Sequence, residues 1–142
     1  MAWFQKNITI EKKNRGFHLI TDELLNKVPD IETFKIGILH IFIMHTSASI
    51  TINENADSTV RDDMESHFNK FVPENQNYYR HTFEGSDDMP AHIKAITIGN
   101  NVAIHISDGD LCLGTWQGIY LCEHRNHSHT RNIIATLNGV KY

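Results

Sequence analysis

The stretch His81–Ala95, HTFEGSDDMPAHIKA, crowds His81, Glu84, Asp87, Asp88 and His92 around one glycine and one proline. Histidine is the commonest protein metal ligand and the usual proton shuttle near neutral pH. His81 precedes the turn that Gly85 permits, and His92 lies in the first turn of the helix that follows, so a fold-back brings the two rings together. The positive end of that helix disfavours imidazolium and keeps His92 competent for metal. Their spacing is not a recognised zinc signature. The bland reading of Asp87 and Asp88 is that they cap the helix, and Asp88, nearer Pro90, is expected mainly to do so. A second polar run, HTSASITINEN from His45, sets Thr46, Ser47 and Ser49 ahead of Asn53, Glu54, Asn55 and Asp57, as at the rim of a polar pocket. Its bland alternative is a strand-end histidine with hydroxyls that satisfy turn backbone.

The elements that must position these groups follow from periodicity. FQKNITIEKK alternates and predicts a strand; GFHLI continues it, and TDELLNKVPD predicts a short helix with Thr21 as N-cap and Pro29 as stop. KIGILHIFIMH is apolar on both alternating faces, which predicts a central strand buried on both sides, and ASITIN predicts another strand. ADSTVRDDMESHFNKFVP is the best helix, capped by Asp57 or Ser58. DDMPAHIKAITIG predicts a second, with Gly99 past its end. NVAIHIS, GIYLCEHR and TRNIIATLNG complete the strands. His40, His105 and His67 are expected to pack in the core, and HRNHSH, His124 to His129, to be an exposed hairpin loop. Strands outnumber helices without alternating with them, so the expected fold is α+β, mostly antiparallel, in one domain over residues 1–142.

Composition narrows the classes. A net charge of -4 and the lack of any basic run argue against nucleic acid as a partner. A hydrophobic fraction of 40% with 21% charged residues is ordinary for a globular chain. Cys112 and Cys122 form no C-x-x-C pair and fit reduced, structural core thiols better than a disulfide framework. MAWFQKNITIEKK has no signal-peptide run, and IGILHIFIM is too short to span a bilayer, so no membrane contact and a cytoplasmic location are expected.

The most sequence-specific piece is GDLCLGTWQGIYL, where Trp116 and Gln117 join a large apolar body to an amide. Glu123 and Arg131 either pair across the last two strands or face a ligand. HTSASITINENAD, HTFEGSDDMPAHIKA, GDLCLGTWQGIYLCE and the later Arg131 together resemble the YjbQ-like family, in its order, from about His45 to Gly139; the N-terminal third fits in pattern only. The resemblance implies a β-sandwich-like α+β core with two to three helices that trimerises about a threefold axis. It implies a metal-associated polar site built from the first two motifs and GTWQ, and an association with weak thiamine-phosphate synthase activity. HRNHSHTR departs from the pattern, with more histidines than expected.

The expected site then has His45, His81 and His92 as metal ligands, since three neutral imidazoles suit zinc and leave a position for water or substrate. Glu84, Asp57 and Asp87 orient those rings or move protons. Ser47, Asn53, Trp116, Gln117 and Arg131 contact substrate. One reading is a metal-dependent enzyme on a small phosphorylated substrate, either a thiamine-phosphate synthase-like transferase or a hydrolase; magnesium serves pyrophosphate chemistry better than a three-histidine site does. The other is a trimeric metal- or metabolite-binding module without turnover, since no nucleophile–base pair is visible.

Overall fold

The computed structural model describes residues 1–127 and 129–142. It contains strands β1 (Ala2–Ile10), β2 (Gly16–Leu19), β3 (Phe34–Ile43), β4 (Ala48–Glu54), β5 (Asn101–Ser107), β6 (Asp110–Leu111), β7 (Gln117–Glu123) and β8 (Arg131–Lys141). Helices α1 (Thr21–Lys27), α2 (Ser58–Phe71) and α3 (Asp88–Ile98) complete it, with a 3-10 turn at Pro29–Thr33. All pairings are antiparallel, in a five-stranded sheet ordered β1-β8-β3-β5-β6 and a three-stranded sheet ordered β2-β7-β4. The α+β class with a sandwich-like core is therefore what the chain adopts.

Period-two alternation drives the packing. Ile8 and Ile10, Leu39, Ile41 and Ile43, Ile104 and Ile106, and Ile133, Ala135 and Leu137 turn one face of the large sheet inward, onto Ile50, Ile119 and Leu121 of the small one. Each fully buried Ile or Leu contributes about 1.5–3 kcal/mol. On its other side the small sheet carries Phe17, Tyr120 and Cys122, against which Met64 and Phe68 of α2 and Ile98 of α3 pack. Thus β7, not β3, is the strand covered on both sides: Gly118 to Glu123 are buried without alternation.

The outer face of β3 is bare. Ile38 and Phe42 are 43% and 41% exposed, and Met44 just past the strand 40%, since among the described residues no helix crosses the large sheet's outside. Cross-strand rows there run Asn7–Ile134–Phe42–Asn101, Gln5–Thr136–His40–Ala103 and Trp3–Asn138–Ile38–His105, none with a formal charge unless a histidine is protonated. The expected core histidines His40 and His105 lie on this face and are exposed, and His67 is exposed on α2, stacked on Phe71. Thr21 does not cap α1; its hydroxyl accepts the Ile119 N–H (2.9 Å). No helix among the described residues is long and apolar enough to cross a membrane.

Candidate metal centre

α3 begins where Gly85, at φ 106°, turns the chain. Neither Asp87 nor Asp88 makes a side-chain cap to it. Asp88 and His92, four residues apart, share a helix face, where such pairs meet. Asp88 Oδ2 lies 3.1 Å from His92 Nε2 and 2.7 Å from His81 Nε2, the latter delivered by the loop after α2. The two rings are 5.3 Å apart. His81, Asp88 and His92 each offer one donor atom within 4.8 Å of the others. Asp88, expected as a cap, is instead the buried hub.

Arg125 completes that hub. Its guanidinium donates to Asp88 Oδ1 (2.5 Å), Asp87 Oδ2 (2.9 Å) and the Glu84 carbonyl (2.7 Å). The Asn126 N–H also donates to Asp87 Oδ2 (2.8 Å). Burial pushes the Asp87 carboxyl up, but the Asn126 N–H and Arg125 outweigh it and hold it below its ordinary value. HRNHSH is therefore no detached loop: His124 is buried and Arg125 is the clamp of the site, while Ser128 lies outside the described residues.

The second imidazole nitrogen of His92 shapes the chemistry. Nδ1 is 2.9 Å from the Thr46 carbonyl, an acceptor only, so Nδ1 carries the hydrogen. In a neutral ring Nε2 then turns a lone pair toward the Asp88 carboxylate. Lone pair against carboxylate oxygen is favourable only with a cation or a proton between them. A metal-ligating histidine usually donates its other ring N–H to a carboxylate or a backbone carbonyl, as His92 Nδ1 does to Thr46. The donor set, two imidazoles and one carboxylate, suits zinc or ferrous iron better than magnesium.

His45 does not enter this cluster. Its Nε2 accepts the Asn132 backbone N–H (2.8 Å), so that lone pair is taken. Ser47, Glu123 and Arg131 form a buried network: Arg131 Nε donates to Glu123 Oε1 (2.8 Å), and Nη2 to Glu123 Oε2 and to Ser47 Oγ (3.1 Å). Arg131 thus pairs with Glu123 across β7 and β8, with its guanidinium committed to Glu123 and Ser47. Ser49 Oγ meets His124 Nε2 at 2.8 Å, and burial, then the Lys94, Arg15 and Arg131 cations, push His124 down to about 3.

The remaining expected site residues lie elsewhere. Register pairs Ala48 with Glu123 but Glu54 with Gln117, so Trp116 and Gln117 sit at the other end of the β4–β7 pair, about 20 Å away at about 3.3 Å per residue. Gln117 Oε1 accepts the Gly114 N–H, and Asn53 Oδ1 the Glu54 N–H. Asp57 caps α2 through the Thr59 N–H (2.9 Å), and the Thr59 hydroxyl and N–H hold its carboxyl below the ordinary value. Glu84 is near the cluster but solvent-facing, its side chain 65% exposed and 3.9 Å from Arg125.

Comparison with known proteins agrees with the fold. The UPF0047 protein YjbQ-like family matches residues 6–140. The UPF0047 protein YjbQ of Escherichia coli O157:H7 is 53% identical over 137 residues, covering 96% of this chain and 99% of that protein. YugU of Bacillus subtilis is 40% identical over 72% of this chain and 80% of its own length. Among solved structures, a protein of the family from Clostridium acetobutylicum is 34% identical with a TM-score of 0.76, covering 97% of this chain and all of that one. A YbjQ-like protein from Sulfolobus solfataricus P2 superposes at a TM-score of 0.82 and 25% identity, covering 97% and 98%. With its model matched almost end to end and relatives this similar, the chain belongs to the UPF0047 YjbQ-like family.

Proposed function

We propose that this chain is a metal-dependent enzyme whose divalent ion, zinc or ferrous iron, is held by His81, Asp88 and His92. The observation that carries the reading is His92, whose Nδ1–H is committed to Thr46 while its Nε2 faces Asp88. A metal there supplies Lewis-acid polarisation of a substrate oxygen and an acidified water. Asp88 is aligned by Arg125 through its other oxygen. Glu84, the nearby carboxylate open to solvent, is the proton carrier, and Asp87, tied to Arg125 and Asn126, positions the clamp. This arrangement favours metal-assisted hydrolysis. Thiamine-phosphate synthase-like transfer on a phosphorylated substrate, with magnesium, gains less support, since Arg125 and Arg131 are each spent on carboxylates.

A binding module without turnover uses the same donors. The tie that removes Asp87 as a proton carrier favours it. The uncharged outer face of the large sheet supports a homotrimer, since charge depletion marks the core of protein interfaces. Metal analysis of the purified chain is the test. Stoichiometric zinc or iron is expected, lost in Asp88→Asn and His92→Ala while the folded far-UV spectrum remains. A wild-type chain that takes up no metal at micromolar concentration ends both metal readings. Metal that binds without hydrolysis of any ester or amide tried, and with no effect of Glu84→Gln, selects the binding module.

A further inference from the structure

Beside His92 opens a cavity of about 400 Å³, walled by His45, Thr46, Ala48, Ala95, Ile96 and Asn100. Its polar groups are neutral donors. His45 Nε2 accepts the Asn132 N–H, so the hydrogen of the neutral ring sits on Nδ1. Protonating Nε2 would set N–H against N–H. Burial, and then the Arg131 cation, push the His45 imidazole below its ordinary value against the Glu123 carboxylate, which keeps it neutral at pH 7. Among the described residues no protein acceptor meets Nδ1. Asn100 Oδ1 accepts from Asn101 Nδ2 (2.8 Å), which leaves the Asn100 amide hydrogens to donate. Among the described residues no lysine, arginine or carboxylate lines the cavity, and Ala48, Ala95 and Ile96 make the rest of its wall apolar.

We infer that this cavity seats an uncharged oxygen acceptor, the carbonyl group of a small, partly apolar substrate, and that His45 Nδ1–H is the donor that holds it. The inference rests on the metal-centre reading only in making this ligand a substrate: His92 belongs both to the wall of this cavity and to the His81–Asp88–His92 cluster. Among the described residues a phosphate finds no cationic side chain in the wall, and a purely apolar ligand would leave the half-buried His45 donor unused. His45 is a positioning residue for substrate and not a third metal ligand, because ligation through Nδ1 requires the proton it carries to leave.

Nuclear magnetic resonance of the full, isotope-labelled chain tests this, with N-methylacetamide and inorganic phosphate as probes. The long-range nitrogen–proton correlations of His45 are expected to show Nδ1 protonated and Nε2 bare at pH 7. N-methylacetamide should shift the His45 ring and the Asn100 side-chain amide, with or without added zinc, and phosphate should shift neither. His45→Ala should weaken the amide about three- to tenfold; His45→Asn, which keeps an N–H near the Nδ1 position, should restore most of it. A ring protonated on Nε2, a His45 that ignores N-methylacetamide, or a phosphate that displaces it overturns the inference. Zinc is read separately on His81 and His92. If zinc leaves those rings unmoved while N-methylacetamide still seats at His45, the metal reading fails and this one stands.

Discussion

Asp88 is one carboxylate asked to satisfy two imidazoles and a guanidinium. Arg125 reaches it with one arm of a planar fork whose other arms hold Asp87 and the Glu84 carbonyl. A lysine offers charge but not that geometry. If the cluster holds the proposed metal, Arg125→Lys should therefore keep the fold and lower affinity for it about 10–100-fold, measured by competition with a chelator. His124 is the second residue whose chemistry is set by its surroundings. Its buried imidazole titrates near 3 in the fold and near 6.5 when unfolded. Between those values the unfolded chain binds the extra proton, so this contribution is full above about pH 6.5 and is lost as pH falls toward 3. The slope approaches about 1.4 kcal/mol per pH unit for one such group. His124→Gln, which keeps a hydrogen-bonding atom toward Ser49, should flatten the stability profile between pH 6 and 4; an unchanged slope in urea titrations would place the acid sensitivity elsewhere. Neither residue was legible as functional. The approach of Arg125 to Asp87 and Asp88 across 37 or 38 positions leaves no spacing signal, and His124 looks like loop in HRNHSH because nothing local announces that β7 continues its burial into that residue.

Elements were more legible than contacts. Alternating Ile residues, Pro90 in the first turn of α3 and Gly99 past its end mark strands and helix by local physics, and they stand where the periodicity placed them. Asp57 stands as one of two caps the sequence offers for α2, beside Ser58, and also as a candidate at the chemistry, because a polar run cannot show which end of a strand its members occupy. Trp116 shows the same limit: it precedes β7 at the end of the β4–β7 pair far from the His81–Asp88–His92 cluster, which the polar run alone does not reveal. Strand β3 shows a further limit. An unbroken apolar run looks the same whether a neighbouring layer or another chain covers it. Its pairing with β8 depends on Gly37 facing Gly139, where a Cβ on Gly139 would lie 2.1 Å from the Ile36 carbonyl oxygen and one on Gly37 2.6 Å from the Asn138 carbonyl oxygen. Both contacts are with backbone, which cannot rotate aside. Gly139→Ala should cost about 3 kcal/mol, seen as a lower urea midpoint, and the loss should be larger than for Gly99→Ala, where added carbon meets nothing and only the φ of 116° resists.

The whole molecule is a sandwich finished on one side. α2 and α3 cover the small sheet, while the large sheet shows solvent a surface of Ile38, Phe42, Trp3, asparagines and histidines. Placing a lysine at Ile38 should leave the inward-facing core untouched and break the proposed trimer, so light scattering should give a monomer mass for Ile38→Lys and three times that mass for the parent. A parent that scatters as a monomer at micromolar concentration removes the assembly. The bare face also bears on what a melting curve of this protein means. A surface that finds its cover only on other folded copies makes folding a reaction of third order in chain, and mass action then links it to dilution. The parent should melt at a temperature that climbs with protein concentration, and Ile38→Lys at one temperature whatever the concentration. Heat resistance would in that case be a property of how much of the protein a cell keeps, as much as of the chain itself.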